Sequence, residues 1–194
     1  PVGLAFLTSG LNAHPDTHVL LISLREDEAS ILRIIQTYPQ FRILVRQQGT
    51  SVLLSPCLST FYFPPDYFTA ERFLNWIRQT LKEFQRTKKT VSRALFSNLS
   101  QLSYNSPMFE QERLFIAALI ELFKKEHITS LFIDVGTKKG TEIQNIFDTI
   151  IFTYRDTHND ADRVIIEVSH SGPCNADRTP KWLDRITENG YGRL

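Results

Sequence analysis

The chain alternates continuous apolar runs with segments whose apolar residues recur at helical spacing. The run "HVLLISL" (18–24) lies between polar residues, which is typical of a strand buried on both faces. In the next segment, "DEASILRIIQTY" (27–38), apolar residues recur at helical spacing and Pro39 ends the pattern, so a helix is predicted. A buried strand followed by a helix is the repeating unit of α/β folds.

The same alternation continues along the chain. Further strands are predicted at 51–57, 93–99 and 130–136, and further helices at 73–84 and 108–127. Two late runs, 148–155 and 163–172, flank a polar turn and predict an antiparallel hairpin. The pattern therefore predicts a single three-layer α/β domain over 1–194, with a mostly parallel central sheet and antiparallel strands at one edge.

One segment, "LSTFYFPPDYFTAE" (58–71), is rich in aromatic residues and contains two prolines. Because proline breaks helices and central strands, the segment is predicted to be a loop. Its aromatic residues are Phe61, Tyr62, Phe63, Tyr67 and Phe68. Two interpretations remain open: the rings pack under a long connection, or they form an exposed contact surface for a protein partner.

Composition excludes several classes of function. The 22 basic and 21 acidic residues give a net charge of +1, so no overall field attracts nucleic acid or an anionic membrane. The apolar runs are shorter than the roughly 20 residues that a bilayer span needs, and no signal-like segment opens the chain, so a cytoplasmic location is expected. Cys57 and Cys174 are far apart and the five histidines have no ligand spacing. No metal site is predicted.

The segment "GLAFLTSGLNAHPDTHVLLISLREDEASILRI" (3–34) reads as a helix, a short loop, an apolar strand that ends in charged residues, and a second helix. In this order it resembles the part of the KaiC-like branch of the RecA superfamily of P-loop ATPases that follows the phosphate-binding loop. The segments "IFDTIIFTYR" (146–155), "RVIIEVSHSG" (163–172) and "DRITENGYGRL" (184–194) resemble later family segments in the same order. The resemblance implies a RecA-like P-loop NTPase fold and an assembly with protein partners or with further copies of the chain.

The phosphate-binding loop of this family does not occur in the sequence. Such a loop combines glycines with a lysine and a serine or threonine, which together hold the phosphates and Mg²⁺. The resemblance puts Pro1 immediately after the loop. Two interpretations remain open: the loop lies upstream of Pro1 in a longer chain, in which case ATP and Mg²⁺ are expected ligands, or the protein lacks it and needs no cofactor.

The resemblance also identifies positions of the nucleotide site, and they differ from the family pattern. Where the family has an aspartate at the end of a strand, this chain has Ser97, followed by Asn98. Where the family has paired glutamates, this chain has Arg25 and Glu26, so Glu26 is the candidate catalytic base. Because phosphoryl transfer depends on positioned charge, these losses predict weak or absent hydrolysis.

Another departure falls in the strand that reaches the neighbouring subunit in the family. A basic motif there is replaced by Ser169, His170 and Ser171, which are candidates for a subunit interface. Asp134 lies at the carboxyl end of a predicted strand, where open α/β sheets bind ligands, but it is equally suited to cap the turn after it. The acidic residues Glu26, Asp27 and Glu28 also fit simple partners of a helix N-terminus.

These observations predict a KaiC-like domain with degenerate catalytic positions that acts as a nucleotide-sensing or structural interaction module in regulation or signalling. The alternative is an active ATPase whose phosphate-binding loop lies upstream of Pro1. A weaker alternative is a recombinase-like DNA-binding domain, although the near-neutral charge makes nucleic acid an unfavoured partner.

Overall fold

The structure is a computed structural model, and it describes residues 2–63, 69–97, 109–134, 146–156, 163–170 and 181–183. Contacts within the chain divide it into two compact units, Pro1–Thr137 and Lys138–Leu194. The prediction that 1–194 forms one domain stays a prediction.

The first unit is an α/β structure built on a parallel sheet. Its helices are α1 (Val2–Ala13), α2 (Glu28–Thr37), α3 (Ala70–Arg86) and α4 (Phe109–Lys125), with a 3₁₀ helix at Pro39–Leu44. Its strands are β1 (His18–Ser23), β2 (Val45–Gln48), β3 (Ser51–Leu54), β4 (Leu58–Tyr62), β5 (Val91–Ser97) and β6 (Thr129–Ile133). The central sheet has the order β4-β1-β5-β6, and each pair of neighbours is parallel. The predicted α/β class and parallel sheet are confirmed.

Helices cover both faces of this sheet because its strands carry apolar side chains on both faces. On one face, Val19, Leu21 and Leu95 belong to a buried cluster with residues of α1, α2 and the 3₁₀ helix. On the other face, the ring of Phe96 lies 5.7 Å from Phe73 of α3 and 6.5 Å from Phe115 of α4, measured between ring centroids.

The loop prediction is wrong for residues 58–62. These residues form β4, which pairs in parallel with β1 from Leu58 opposite Val19 to Tyr62 opposite Ser23. The two prolines that suggested a loop come after the strand has ended, and β4 lies at an edge of the parallel sheet formed by the described residues, where proline is tolerated nearby. The predicted strand at 51–57 is the short β3, which pairs with β2 in an antiparallel hairpin outside the central sheet.

The second unit is an antiparallel sheet of β7 (Thr149–Asp156), β8 (Arg163–His170) and β9 (Lys181–Leu183), in that order. The predicted hairpin is therefore confirmed. Among the described residues these strands hydrogen-bond to one another as a separate sheet, not as added edge strands of the parallel one. None of the helices in the described part of the chain has the length and apolarity to cross a bilayer.

Candidate functional site

The carboxyl ends of three parallel strands bring several predicted site residues to one edge of the sheet. Ser23 ends β1 opposite Ser97 of β5, and Ser97 is opposite Ile133 of β6. Asp134 follows Ile133 directly. Neighbouring strands are about 4.8 Å apart, so the backbones of these residues lie within roughly 10 Å of one another. Open α/β sheets bind their ligands at this carboxyl edge.

A buried serine fixes the position of Glu26 at this edge. The Ser23 side chain accepts hydrogen bonds from the backbone amides of Arg25 (3.2 Å) and Glu26 (2.8 Å) and donates one to Glu26 Oε2 (3.1 Å). Ser23 is only 1% exposed, so the turn that follows β1 is anchored in the core. Glu26 Oε1 also lies 3.8 Å from Arg25 Nε, while the Arg25 side chain is 67% exposed.

The neighbouring acidic residues serve the helix that follows. Asp27 is the N-cap of α2 and accepts a 2.9 Å hydrogen bond from the amide of Ser30. Hydrogen bonding to Ser30 lowers the pKa of Asp27 from its ordinary value. Glu28 lies in the first turn, where the helix dipole favours a negative charge. Glu26 is thus distinguished from Asp27 and Glu28 by its bond to Ser23.

Helix α1 begins at the same edge of the sheet. A Cβ atom on Gly3 would lie 2.6 Å from Leu95 Cδ2 and 2.9 Å from Ile133 Cδ1, so a larger residue here would force those side chains of β5 and β6 to shift. The first turn of α1 contains no acidic residue. The first turn of α1 thus packs against Ile133, which lies opposite Ser97 in the strand-end row.

Arg93 of β5 contacts the middle of α1. Arg93 Nη1 donates a 2.6 Å hydrogen bond to the carbonyl of Phe6, and its guanidinium carbon lies 4.8 Å from the centroid of the Phe6 ring. A Cβ atom on Gly10 would lie 2.6 Å from Arg93 Cδ. The sequence interpretation missed Ser23, Arg93 and both glycines, because a single serine, arginine or glycine in an apolar pattern carries no spacing signal.

The aromatic residues near this edge pack against α3. The Phe61 ring lies 4.5 Å from the Trp76 ring, and the Phe63 ring lies 4.6 Å from Trp76 and 4.8 Å from Phe73, in edge-to-face geometry. The amide of Phe63 donates a 3.0 Å hydrogen bond to the carbonyl of Ser23, which joins this segment to the candidate site. Tyr62 points outward and is 43% exposed.

The remaining predicted residues lie in the second unit or outside the described residues. Ser169 and His170 end β8 in the second unit, where their backbones pair with Ile150 and Thr149. Asn98, Ser171, Tyr67 and Phe68 lie outside the described residues. Within the described ranges, no three His, Cys, Asp or Glu side chains are grouped so that they could hold a metal ion.

Comparison with known proteins leaves the family open. No protein-family model matches the chain, and no curated protein matches it either.

Proposed function

We propose that this chain is a KaiC-like domain of the RecA superfamily that binds a nucleotide at the carboxyl edge of its parallel sheet and hydrolyses it weakly or not at all. In this proposal the domain senses nucleotide for a regulatory or signalling assembly. The observation that carries it is the position of the first turn of α1, where Gly3 packs against Leu95 of β5 and against Ile133 of β6, the residue opposite Ser97.

The phosphate part of ATP fits this edge. A helix N-terminus offers unpaired amide groups and a partial positive charge to phosphate oxygens. Because the first turn of α1 has no acidic residue, nothing within that turn repels an anion. The hydroxyl of Ser97, at the end of β5 and on the same face as Leu95, is suited to bind phosphate or a water molecule.

The residues at this edge suit Mg²⁺ less well than they suit phosphate. Mg²⁺ prefers carboxylate oxygens, and the strand-end row contributes Ser23, Ser97 and Ile133, none of which is charged. The carboxylates near the row are Glu26 and Asp134. Glu26 accepts a hydrogen bond from Ser23, and its Oε1 lies 3.8 Å from Arg25 Nε, so its carboxylate oxygens already have partners within the turn. This chemistry supports binding over turnover.

The decisive experiment is a calorimetric titration of the full native protein with ATP, with and without Mg²⁺, followed by a steady-state hydrolysis assay. We expect saturable binding with turnover equal to that of a protein-free control. Ser97→Ala is expected to weaken ATP binding, because it removes a hydroxyl at the proposed phosphate position. Glu71→Gln, an exposed residue in the first turn of α3, is the matched control and should leave binding unchanged.

Each other outcome would redirect the proposal. An absence of ATP binding would overturn nucleotide sensing and leave a structural interaction module. Turnover that Glu26→Gln abolishes and Glu71→Gln preserves would establish the alternative, an active ATPase with Glu26 as its base. A salt-dependent shift of DNA mobility without ATP binding would instead favour the recombinase-like interpretation.

A further inference from the structure

A cleft at the amino edge of the parallel sheet lies at the opposite end of β5 from the proposed nucleotide site. Its volume is about 410 Å³, which is within the range of small-molecule sites. Its apolar lining comes from the end of α3, the start of β5 and the connection between α4 and β6. These residues are Leu81, Phe84, Val91 and Ile128.

Lysines dominate the charged rim of this cleft. Lys88 and Lys89 line it together with one carboxylate, that of Glu126, which accepts a hydrogen bond from the Gln85 amide. Lys89 Nζ lies 6.0 Å from the centroid of the Phe84 ring. Both lysines are exposed, so they can reach a ligand that rests on the apolar lining.

The two helix ends that form the cleft have an unusual backbone. Lys88 (φ 58°) and His127 (φ 57°) are the non-glycine residues with positive φ in the described part of the chain. Each follows a helix in a Schellman turn, in which the Lys89 amide donates to the Phe84 carbonyl and the Ile128 amide donates to the Phe123 carbonyl. These bonds satisfy helix-end carbonyls that would otherwise repel an anion.

Glycine is the residue that best suits such a position, and lysine or histidine there strains the backbone. Strain of this kind concentrates at functional sites. The strained Lys88 lines the cleft, and the strained His127 lies between two residues that line it, Glu126 and Ile128. The sequence thus keeps a lysine at a position where glycine would give a more stable fold.

We propose that this cleft binds a small aromatic anion, meaning an aromatic ring that carries a phosphate or carboxylate group. The ring packs on Phe84 and its apolar neighbours, and the anionic group binds Lys88 and Lys89. The apolar lining alone would hold any small hydrophobe, and the lysines alone would hold any anion. Their combination selects a ligand that has both parts. This proposal does not depend on the proposed nucleotide site.

The test uses phenyl phosphate as the probe and the ¹⁵N-labelled full protein, observed by NMR. We expect saturable shifts at the amides of Lys88, Lys89, Thr90 and Ile128. Inorganic phosphate and benzyl alcohol, which each carry only one part of the probe, should bind at least about fivefold more weakly, because each contributes only one kind of contact. Shifts that do not saturate, or equal affinity for the three probes, would overturn the proposal.

Two substitutions separate binding from folding. Lys88→Gly relieves the strain of the positive φ, so it should raise the melting temperature. It also removes the charge, so it should weaken phenyl phosphate binding at least about fivefold. Lys82→Ala removes an exposed lysine of α3 outside the cleft and should leave the affinity unchanged. If Lys88→Gly binds the probe as tightly as the native protein does, the lysine has no role in the site and the proposal fails.

Discussion

Ser23→Ala tests whether one buried hydroxyl anchors the candidate site to the sheet. The substitution removes the acceptor for two backbone amides, those of Arg25 and Glu26, and the donor to the Glu26 carboxylate. A typical hydrogen bond contributes about 1 kcal/mol net, and a buried amide left without its partner costs about 1–3 kcal/mol. Because alanine keeps the same Cβ and leaves only a small void, we expect Ser23→Ala to lower the free energy of unfolding by about 2 kcal/mol.

The measurement is urea denaturation followed by tryptophan fluorescence. The chain has two tryptophans, Trp76 in the first unit and Trp182 in the second. In a Trp182→Phe background the signal reports Trp76, whose ring packs on Phe61 and Phe63. The transition therefore follows the unit that contains Ser23.

Two matched variants make the result interpretable. Ser51→Ala changes an exposed serine of β3 and should alter stability by less than about 0.5 kcal/mol. Glu26→Gln keeps a side-chain oxygen that accepts from Ser23 and should lose less than about 1 kcal/mol. If the free energy of unfolding of Ser23→Ala is within about 0.5 kcal/mol of the native value, this hydroxyl does not hold the turn and the reasoning fails.

Three further predictions concern stability. Gly10→Ala should destabilise the first unit by about 1–3 kcal/mol in the same urea assay, because the new Cβ would lie 2.6 Å from Arg93 Cδ, and a change below about 0.5 kcal/mol would contradict this. Burial, with Lys89 nearby, lowers the pKa of His18, so the unfolded chain binds the proton more readily. The contribution of His18 to the free energy of unfolding should therefore be complete above about pH 6.5 and be lost as the pH falls below that value. His18→Gln should make the free energy of unfolding less dependent on pH in this range, and an unchanged pH dependence would contradict the prediction. His127→Gly should raise stability by about 0.5–1 kcal/mol in thermal unfolding, because glycine adopts positive φ without strain, and a loss of stability would refute that account.

Elements with one clear apolar pattern could be predicted from the sequence. The continuous run of β1 and the amphipathic stripe of α3 both lie where the pattern indicated. Helix α4 was also predicted, but its apolar pattern does not specify which residues face the core: Leu114 is 69% exposed, whereas Ile116 is fully buried. Apolar residues surround most of that helix, so spacing alone does not decide which of them face the core.

The short strands were harder to predict from the sequence, because a few residues show little periodicity. β4 has only five residues, and the prolines that follow soon after it favoured a loop over a strand. Its place beside β1 depends on pairing with a strand more than 30 residues away in the chain, as in Val19 opposite Leu58, which no local pattern specifies.

The candidate site was predictable where it follows strand ends. Glu26 and Ser97 come to one edge because β1 and β5 are parallel and in register. The strained Lys88 and His127 gave no sequence signal, because the glycine that normally marks such a turn is absent.

The two proposed sites lie at opposite ends of β5, and this geometry limits how they can interact. β5 runs from Val91, which lines the amino-edge cleft, to Ser97 at the carboxyl edge. Six steps of about 3.3 Å separate Val91 from Ser97 by roughly 20 Å, so a phenyl phosphate molecule in the cleft cannot contact a phosphate near Ser97. Any influence of one ligand on the other must therefore pass through a shift of β5 or of the helices packed on it, and thermodynamic linkage requires that influence to be reciprocal. If phenyl phosphate changes the ATP dissociation constant by some factor, ATP must change the phenyl phosphate dissociation constant by the same factor. If each ligand has the same dissociation constant with and without the other, the parallel sheet keeps the two edges independent.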